Sequence, residues 1–165
     1  MIEVLVVIAI IGILSVGSYL TYRGSMAKAR DVRRKSDIKQ YKLALENYAN
    51  EHNSLYPNFK QIYGYDTPSF YSGGSVRYYL CPSLPSFYLT ACPNDPLFNP
   101  SNPFTKDYYY STSTDYSKWV LWNSPEKPTA AGNTWVSCSN AKTGELPLPY
   151  STFVDRASPN GVCSL

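Results

Sequence analysis

Hydrophobic and polar positions divide the chain into three stretches. From Val4 to Tyr22 there are 19 residues without a charge, rich in Val, Ile and Leu. A helix of that length spans roughly 28 Å at about 1.5 Å per residue, close to the thickness of a bilayer's hydrocarbon layer. The run is longer than the usual core helix of a soluble protein, in which about a dozen wholly apolar residues is already long. A cleaved signal peptide does not fit, because a basic leading region and a small-residue cleavage site are absent and the helix signal runs on past the apolar stretch. Residues 23–52 hold no Pro and one Gly, Gly24, among many Ala, Lys, Arg, Leu and Glu, so the helix is predicted to continue to a stop at Asn53–Pro57.

Within that second stretch Ile38, Tyr41, Leu45, Tyr48 and His52 are spaced 3, 4, 3 and 4, with Ala49 beside them. They share one helix face, on which a folded head should dock. Asp31 and Arg34 lie on the same face nearer the apolar run, so docking is expected to begin only around Ile38, with the intervening turns projecting from the head. A thinner line of Ala29, Val32, Ser36 and Leu43 lies on the opposite side and points to contact with something other than the chain's own head, a neighbouring copy being the natural candidate.

The third stretch, residues 53–165, contains every Pro, Trp and Cys. Short aromatic or β-branched runs at Arg77–Leu80, Asp107–Ser111, Lys118–Trp122 and Thr134–Ser137 predict strands, the middle two as a hairpin. Residues 58–76 and 138–165 read as irregular. The fold class is therefore α+β: an apolar stem over 1–22, its amphipathic continuation over 23–52, and a β-rich head over 53–165 whose small antiparallel sheet packs on the helix, with Tyr41 and Tyr48 under one sheet face.

Charge sharpens this division. The 165 residues carry a net +3, yet residues 23–46 hold eight basic side chains against Asp31, Asp37 and Glu46, a local +5, leaving −2 for the rest. A basic stretch beside an apolar segment differs from the basic face of a folded nucleic-acid-binding module. It suits lipid headgroups or the acids of neighbouring subunits, with DNA as a lesser alternative. Cys81, Cys92, Cys138 and Cys163 lack C-x-x-C spacing and, with one distant His, make a poor zinc set. Disulfides fit better, and imply an oxidising compartment. Of the three pairings open to four cysteines, short loop closure favours Cys81 with Cys92 and Cys138 with Cys163. No P-loop, nucleophile elbow, EF-hand loop or H-E-x-x-H occurs. No enzymatic activity, metal or cofactor is therefore expected, and His52 reads as a packing or helix-end residue.

One acid sits at the very edge of the apolar run. The stretch Met1-Ile2-Glu3-Val4-Leu5-Val6-Val7-Ile8-Ala9-Ile10-Ile11-Gly12-Ile13-Leu14 resembles the N-terminal signature of type IV pilins and type II secretion pseudopilins. The likeness extends through Ala29-Arg30-Asp31, the Asp37–Tyr48 helix and the Tyr56-Pro57 stop. It has a fainter echo in Cys92-Pro93-Asn94-Asp95-Pro96 with Tyr108-Tyr109-Tyr110, Tyr116 and Trp119–Trp122.

The resemblance implies a subunit held in the inner membrane until assembly machinery packs it into an extracellular helical filament of many copies. Met1, Ile2 and Glu3 would lie at the assembly site, where the acid matching Glu3 neutralises the N-terminal ammonium of an adjacent subunit. Val4, Leu5, Val7, Ile8, Ile11 and Leu14 would pack in the filament core. A major pilin is the first expectation, and a minor pilin or a piston-like pseudopilin the alternative. DNA or a host surface are further conceivable partners. Only two residues precede Glu3, where the family's mature chains have four, so a short basic leader removed by a prepilin peptidase and the first two mature residues are expected upstream. The first helix also lacks the proline found in many pilins. Gly12 and Gly17, each lowering helix stability by about 1 kcal/mol relative to Ala, mark where unwinding in a filament should centre. Pseudopilin heads often hold calcium in an acidic C-terminal loop, for which only Glu145 and Asp155 are present here, and a Cys138–Cys163 bridge would take the ion's place.

Overall fold

A computed structural model describes residues 2–57, 74–99, 101, 106–113, 115–147 and 163, the side chains of 16–21, 74, 78 and 79 excepted. Helix α1 runs unbroken over Ile2–Glu51, as the lack of Pro requires. It stops where the stop signal stands. Asn53 and Ser54 adopt the left-handed conformation, at φ 55° and 61°, and the Ser54 and His52 N–H groups cap the Ala49 carbonyl at 2.8 and 3.1 Å.

The head is an antiparallel meander in the order β1-β2-β3-β4-β5, comprising β1 (Gly74–Ser75), β2 (Tyr109–Thr112), β3 (Trp119–Asn123), β4 (Thr134–Cys138) and β5 (Thr143–Leu146). The expected hairpin is β2–β3, with Tyr109 opposite Trp122 and Thr112 opposite Trp119. Every residue of β3 is buried, because both sheet faces are covered. Tyr110, Trp119 and Leu121 pack with Ile38, Tyr41, Ala44 and Leu45 of α1. Tyr109, Val120, Trp122 and Val136 gather with Cys138 and Cys163 on the other face. This alternation is the period of two of a strand.

Three sequence expectations are corrected here. Residues 74–76, read as irregular with 58–73, form β1 and the first residue of the next helix, because Gly74 and Ser75 pair with Tyr110 and Tyr109 of β2. Arg77–Leu80 is not a strand: helix α2 occupies Val76–Tyr79, followed by a 3-10 turn at Cys81–Ser83. Val76, Leu80 and Leu84, spaced by four, are all buried in the main core, a helical spacing, and Pro82 has no N–H to give a ladder. Residues 143–146, read as irregular, form β5, whose Gly and Glu are poor strand formers; pairing with β4 overrides propensity. The irregular reading of 58–73 lies outside the described residues.

Both disulfides are present, Cys81–Cys92 and Cys138–Cys163, the pairs that loop closure favours. The second ties Cys163 to the end of β4, where the Asn140 amide also donates to the Cys163 carbonyl at 2.6 Å.

Candidate functional site

The stem and its anchorage to the head are the two parts of α1 that bear on function. Large apolar side chains from Ile2 to Leu14, among them Val4, Leu5, Val7, Ile8 and Ile11, are 52–76% exposed. Glu3 is exposed in their midst. A Cβ added at Gly12 meets nothing within 4 Å, so no close approach within the subunit requires glycine there. The helix is continuous through Gly12 and Gly17; the surroundings of Gly17, and Met1, lie outside the described residues. No helix among the described residues is long and apolar enough to cross a membrane. Side chains of the apolar run are described as far as Ser15, whose hydroxyl donates to the Ile11 carbonyl at 2.7 Å, and again at the exposed Tyr22.

Docking begins more than two turns earlier than Ile38. Ala27, Asp31 and Arg34 are buried, Arg34 completely. Its guanidinium grips Asp95 with two bonds, Nε to Oδ2 at 2.6 Å and Nη2 to Oδ1 at 2.9 Å. The remaining nitrogen, Nη1, donates to Asp31 at 2.6 Å and to Glu126 at 2.8 Å. Arg30 closes the group with a two-pronged contact to Glu126 at 2.7 and 2.6 Å. Asp31 in turn accepts the backbone N–H groups of Glu126 and Lys127 at 2.9 and 2.8 Å. The network thus joins α1 to the loop before β2 and the loop between β3 and β4. In the sequence Arg30 and Asp95 stand out only as parts of the family likeness and Glu126 not at all; none is marked there as a partner in this network. The available signal was Asp31 and Arg34 three apart on the docking face: charges on a face that packs require buried partners across it.

The electrostatics follow. Hydrogen bonding from Arg30, aided by Arg34, holds the Glu126 carboxyl at about 2. Burial pulls the Arg34 pKa down, but bonds to Asp95 and Glu126 outweigh it and raise the group overall, keeping it charged. One turn on, Asp37 accepts the Tyr108 hydroxyl at 2.6 Å; burial first, and that bond second, push the Tyr108 phenol up. Asp107 is raised by burial, although Ser75 and the Tyr108 N–H donate to it.

Ile38, Tyr41 and Leu45 lie in the core as the stripe predicts, and Tyr48 packs at its edge. The Tyr41 hydroxyl donates to the Pro93 carbonyl at 2.7 Å, and its ring meets Tyr108 edge-on at 6.0 Å. His52 does not join the docking face. It is exposed, stacked on Tyr48 at 3.8 Å with Nδ1 2.8 Å from the Tyr48 carbonyl.

Among the described residues no three His, Cys, Asp or Glu side chains gather as metal ligands; the closest acids, Asp31, Asp95 and Glu126, are taken up by Arg30 and Arg34. Glu145 accepts both the N–H and the hydroxyl of Thr129 at 2.6 Å, and Asp155 lies outside the described residues. No protein-family model matches the chain, and neither the curated proteins nor the solved structures compared with it give a match.

Proposed function

We propose that the chain is a non-enzymatic structural subunit that polymerises through its apolar N-terminal helix into an extracellular filament of the type IV pilus kind. One observation carries the reading: a row of large aliphatic side chains over Ile2–Leu14 is left uncovered by the chain's own head. At about 25 cal/mol per Å² of apolar surface, leaving such a row in water is costly, and lipid before assembly or the stems of other copies afterwards would remove it from water. Glu3 would then be a register device. Its carboxylate, buried among apolar neighbours, needs a positive mate, supplied in this reading by the N-terminal ammonium of the next copy; a slip of one helical turn would separate the charges by about 5.4 Å.

The test is Glu3→Ala in cells that display the filament. The variant should remain in the membrane fraction while sheared fibres are lost. Normal fibre yield would refute the charge-pair role. Imaging of native fibres together with subunit mass separates a dominant subunit from a minor or secretion-type one.

A further inference from the structure

The two disulfides sit in unlike surroundings. Cys138 and Cys163 keep 2% and 5% of their surface in solvent. Cys138 belongs to β4, opposite Val120 of β3, and its N–H donates to the Lys142 carbonyl at 2.9 Å. A reagent reaches that bridge only when the sheet opens. Cys81 and Cys92 are half-buried, at the margin of the main core, and no strand lies between Cys81 and Asn99.

The chain that leaves this second bridge is thinly held. Leu84 is buried, and the next buried residue is Asp95; none of residues 85–94 is. Backbone bonds here close only local turns, from the N–H of Leu84 to Leu80, of Tyr88 to Pro85 and of Phe98 to Asp95. Contact with α1 comes through side chains. The Tyr88 hydroxyl donates to Glu51, the Tyr41 hydroxyl to the Pro93 carbonyl at 2.7 Å, and Arg34 to Asp95. Cys92 thus stands three residues before the carboxylate that walls in Arg34.

Both neighbours of the bridge accommodate two states. Tyr41 gives its one hydroxyl proton to Pro93, so its oxygen, 3.5 Å from the Cys81 Sγ, can accept the S–H that reduction would create. Arg34, if Asp95 moves away, still has Asp31 and Glu126. Its charge is then not left alone inside the head.

We propose that Cys81–Cys92 is a site of reversible thiol–disulfide exchange with a dithiol, and that its state sets how firmly residues 85–99 hold Asp95 against Arg34. A thiolate of the dithiol attacks one bridge sulfur, the protein S–S bond breaks, and a mixed disulfide forms. The dithiol's second sulfur then displaces the protein sulfur. Two electrons and two protons pass to the protein, which ends with two thiols, and the dithiol leaves as a disulfide. Reduction opens a loop closed at a sequence separation of 11, so ordering the segment costs more entropy. Ile38, Tyr41 and Leu45 stay packed on the sheet. The exchange takes place on a single chain, so its fate is separate from that of the filament reading.

The experiment treats the full chain, in a non-ionic detergent, with dithiothreitol, traps thiols with iodoacetamide and maps the labelled peptides. Cys81 and Cys92 should be labelled about tenfold faster, or more, than Cys138 and Cys163. In the singly reduced protein, hydrogen exchange should lose protection at Leu97, Phe98 and Tyr88, whose N–H groups are bonded in the segment, and in α1 around Arg34. Protection should persist in β2–β4 and return everywhere on reoxidation. Because coupling is reciprocal, Asp95→Asn should favour reduction of Cys81–Cys92 by about fivefold or more and leave Cys138–Cys163 closed. Cys81→Ser/Cys92→Ser should reproduce the exchange pattern of the singly reduced protein, which keeps the test decisive if Asp95→Asn does not fold. A parallel arm with a reduced C-x-x-C protein separates the sources of the dithiol: reduction at far lower concentration than dithiothreitol supports a protein donor, and reduction by dithiothreitol alone supports a small one. Reduction of both bridges in step would overturn the proposal, as would a Cys138–Cys163 bridge that opens first. So would a singly reduced protein with unchanged protection around Arg34, which makes the bridge a passive staple, or an Asp95→Asn variant reduced no more readily than the parent.

Discussion

The two ends of α1 are built from one uninterrupted helix and meet opposite fates. Over Ala27–Ala49 the helix buries a face of Ile38, Tyr41, Ala44 and Leu45 against the sheet and pins it with Arg34. Over Ile2–Leu14 every large side chain stays more than half exposed. Helix propensity separates them only modestly: the stem is rich in β-branched Val and Ile, each a few tenths of a kcal/mol poorer than Ala, yet it is as continuous as the Ala-, Lys- and Arg-rich head half. What differs is charge. The head half carries acids and bases that solvate its outer side and lock its inner side. The stem half has Glu3 alone, so nothing directs one face outward. The lesson is that the head half is held by tertiary contacts and the stem half by its surroundings, because an isolated helix of that length is marginal in water.

The largest effect is expected at Arg34. Its side chain is 1% exposed and contacts three carboxylates, so Arg34→Ala leaves buried charge unpaired and should cost about 3–5 kcal/mol. Denaturant unfolding followed by the fluorescence of Trp119, Trp122 and Trp135 reads it. Ile8→Asn in the stem should move the same transition by less than about 0.5 kcal/mol; equal losses would show that stem and head are one cooperative unit.

Next in size is the Cys138–Cys163 bridge, which closes a loop of sequence separation 25. Replacing both cysteines with Ala should lower head stability by about 2–4 kcal/mol, again without effect on the stem.

Acid should weaken the head half alone. Glu126 is held at about 2 against an ordinary value of 4.5. Its contribution is therefore complete above about pH 4.5 and is lost as pH falls toward 2. Melting temperatures from pH 6 to 2 should fall across that window, and Glu126→Gln should flatten the fall while lowering stability near neutrality. An unchanged acid limb in Glu126→Gln would remove Glu126 as its source.

The smallest effect is expected at Gly12. Nothing within the subunit crowds it, so Gly12→Ala should strengthen the stem helix by about 1 kcal/mol and leave the Trp-monitored transition in place. Helicity by circular dichroism in detergent against temperature measures it.

Much of this architecture is legible in the chain itself. The 3.6-residue stripe, the run without proline and the Asn53–Pro57 stop define α1, and alternating aromatic residues around Tyr109 and Trp122 define the hairpin. These signals are local, written in residues a few positions apart. The extent of docking was not legible, because Arg34 looks like a solvated charge until Asp95 and Glu126, 61 and 92 residues away, arrive beside it. The helical turn at Val76–Tyr79 and strand β5 also escape a local reading, since burial of Val76 and Leu80 selects one and the β4 edge recruits the other.

By itself, then, the sequence determined the long helix, its uncharged end, the cysteine pairs that short loops favour and the hairpin, since each depends on spacing along the chain. Which charges of α1 face inward, and how far up the helix the head reaches, came only with folding. Pairing of charges far apart in sequence has no periodicity to announce it; it exists only once the chain has folded and water has been removed from between them.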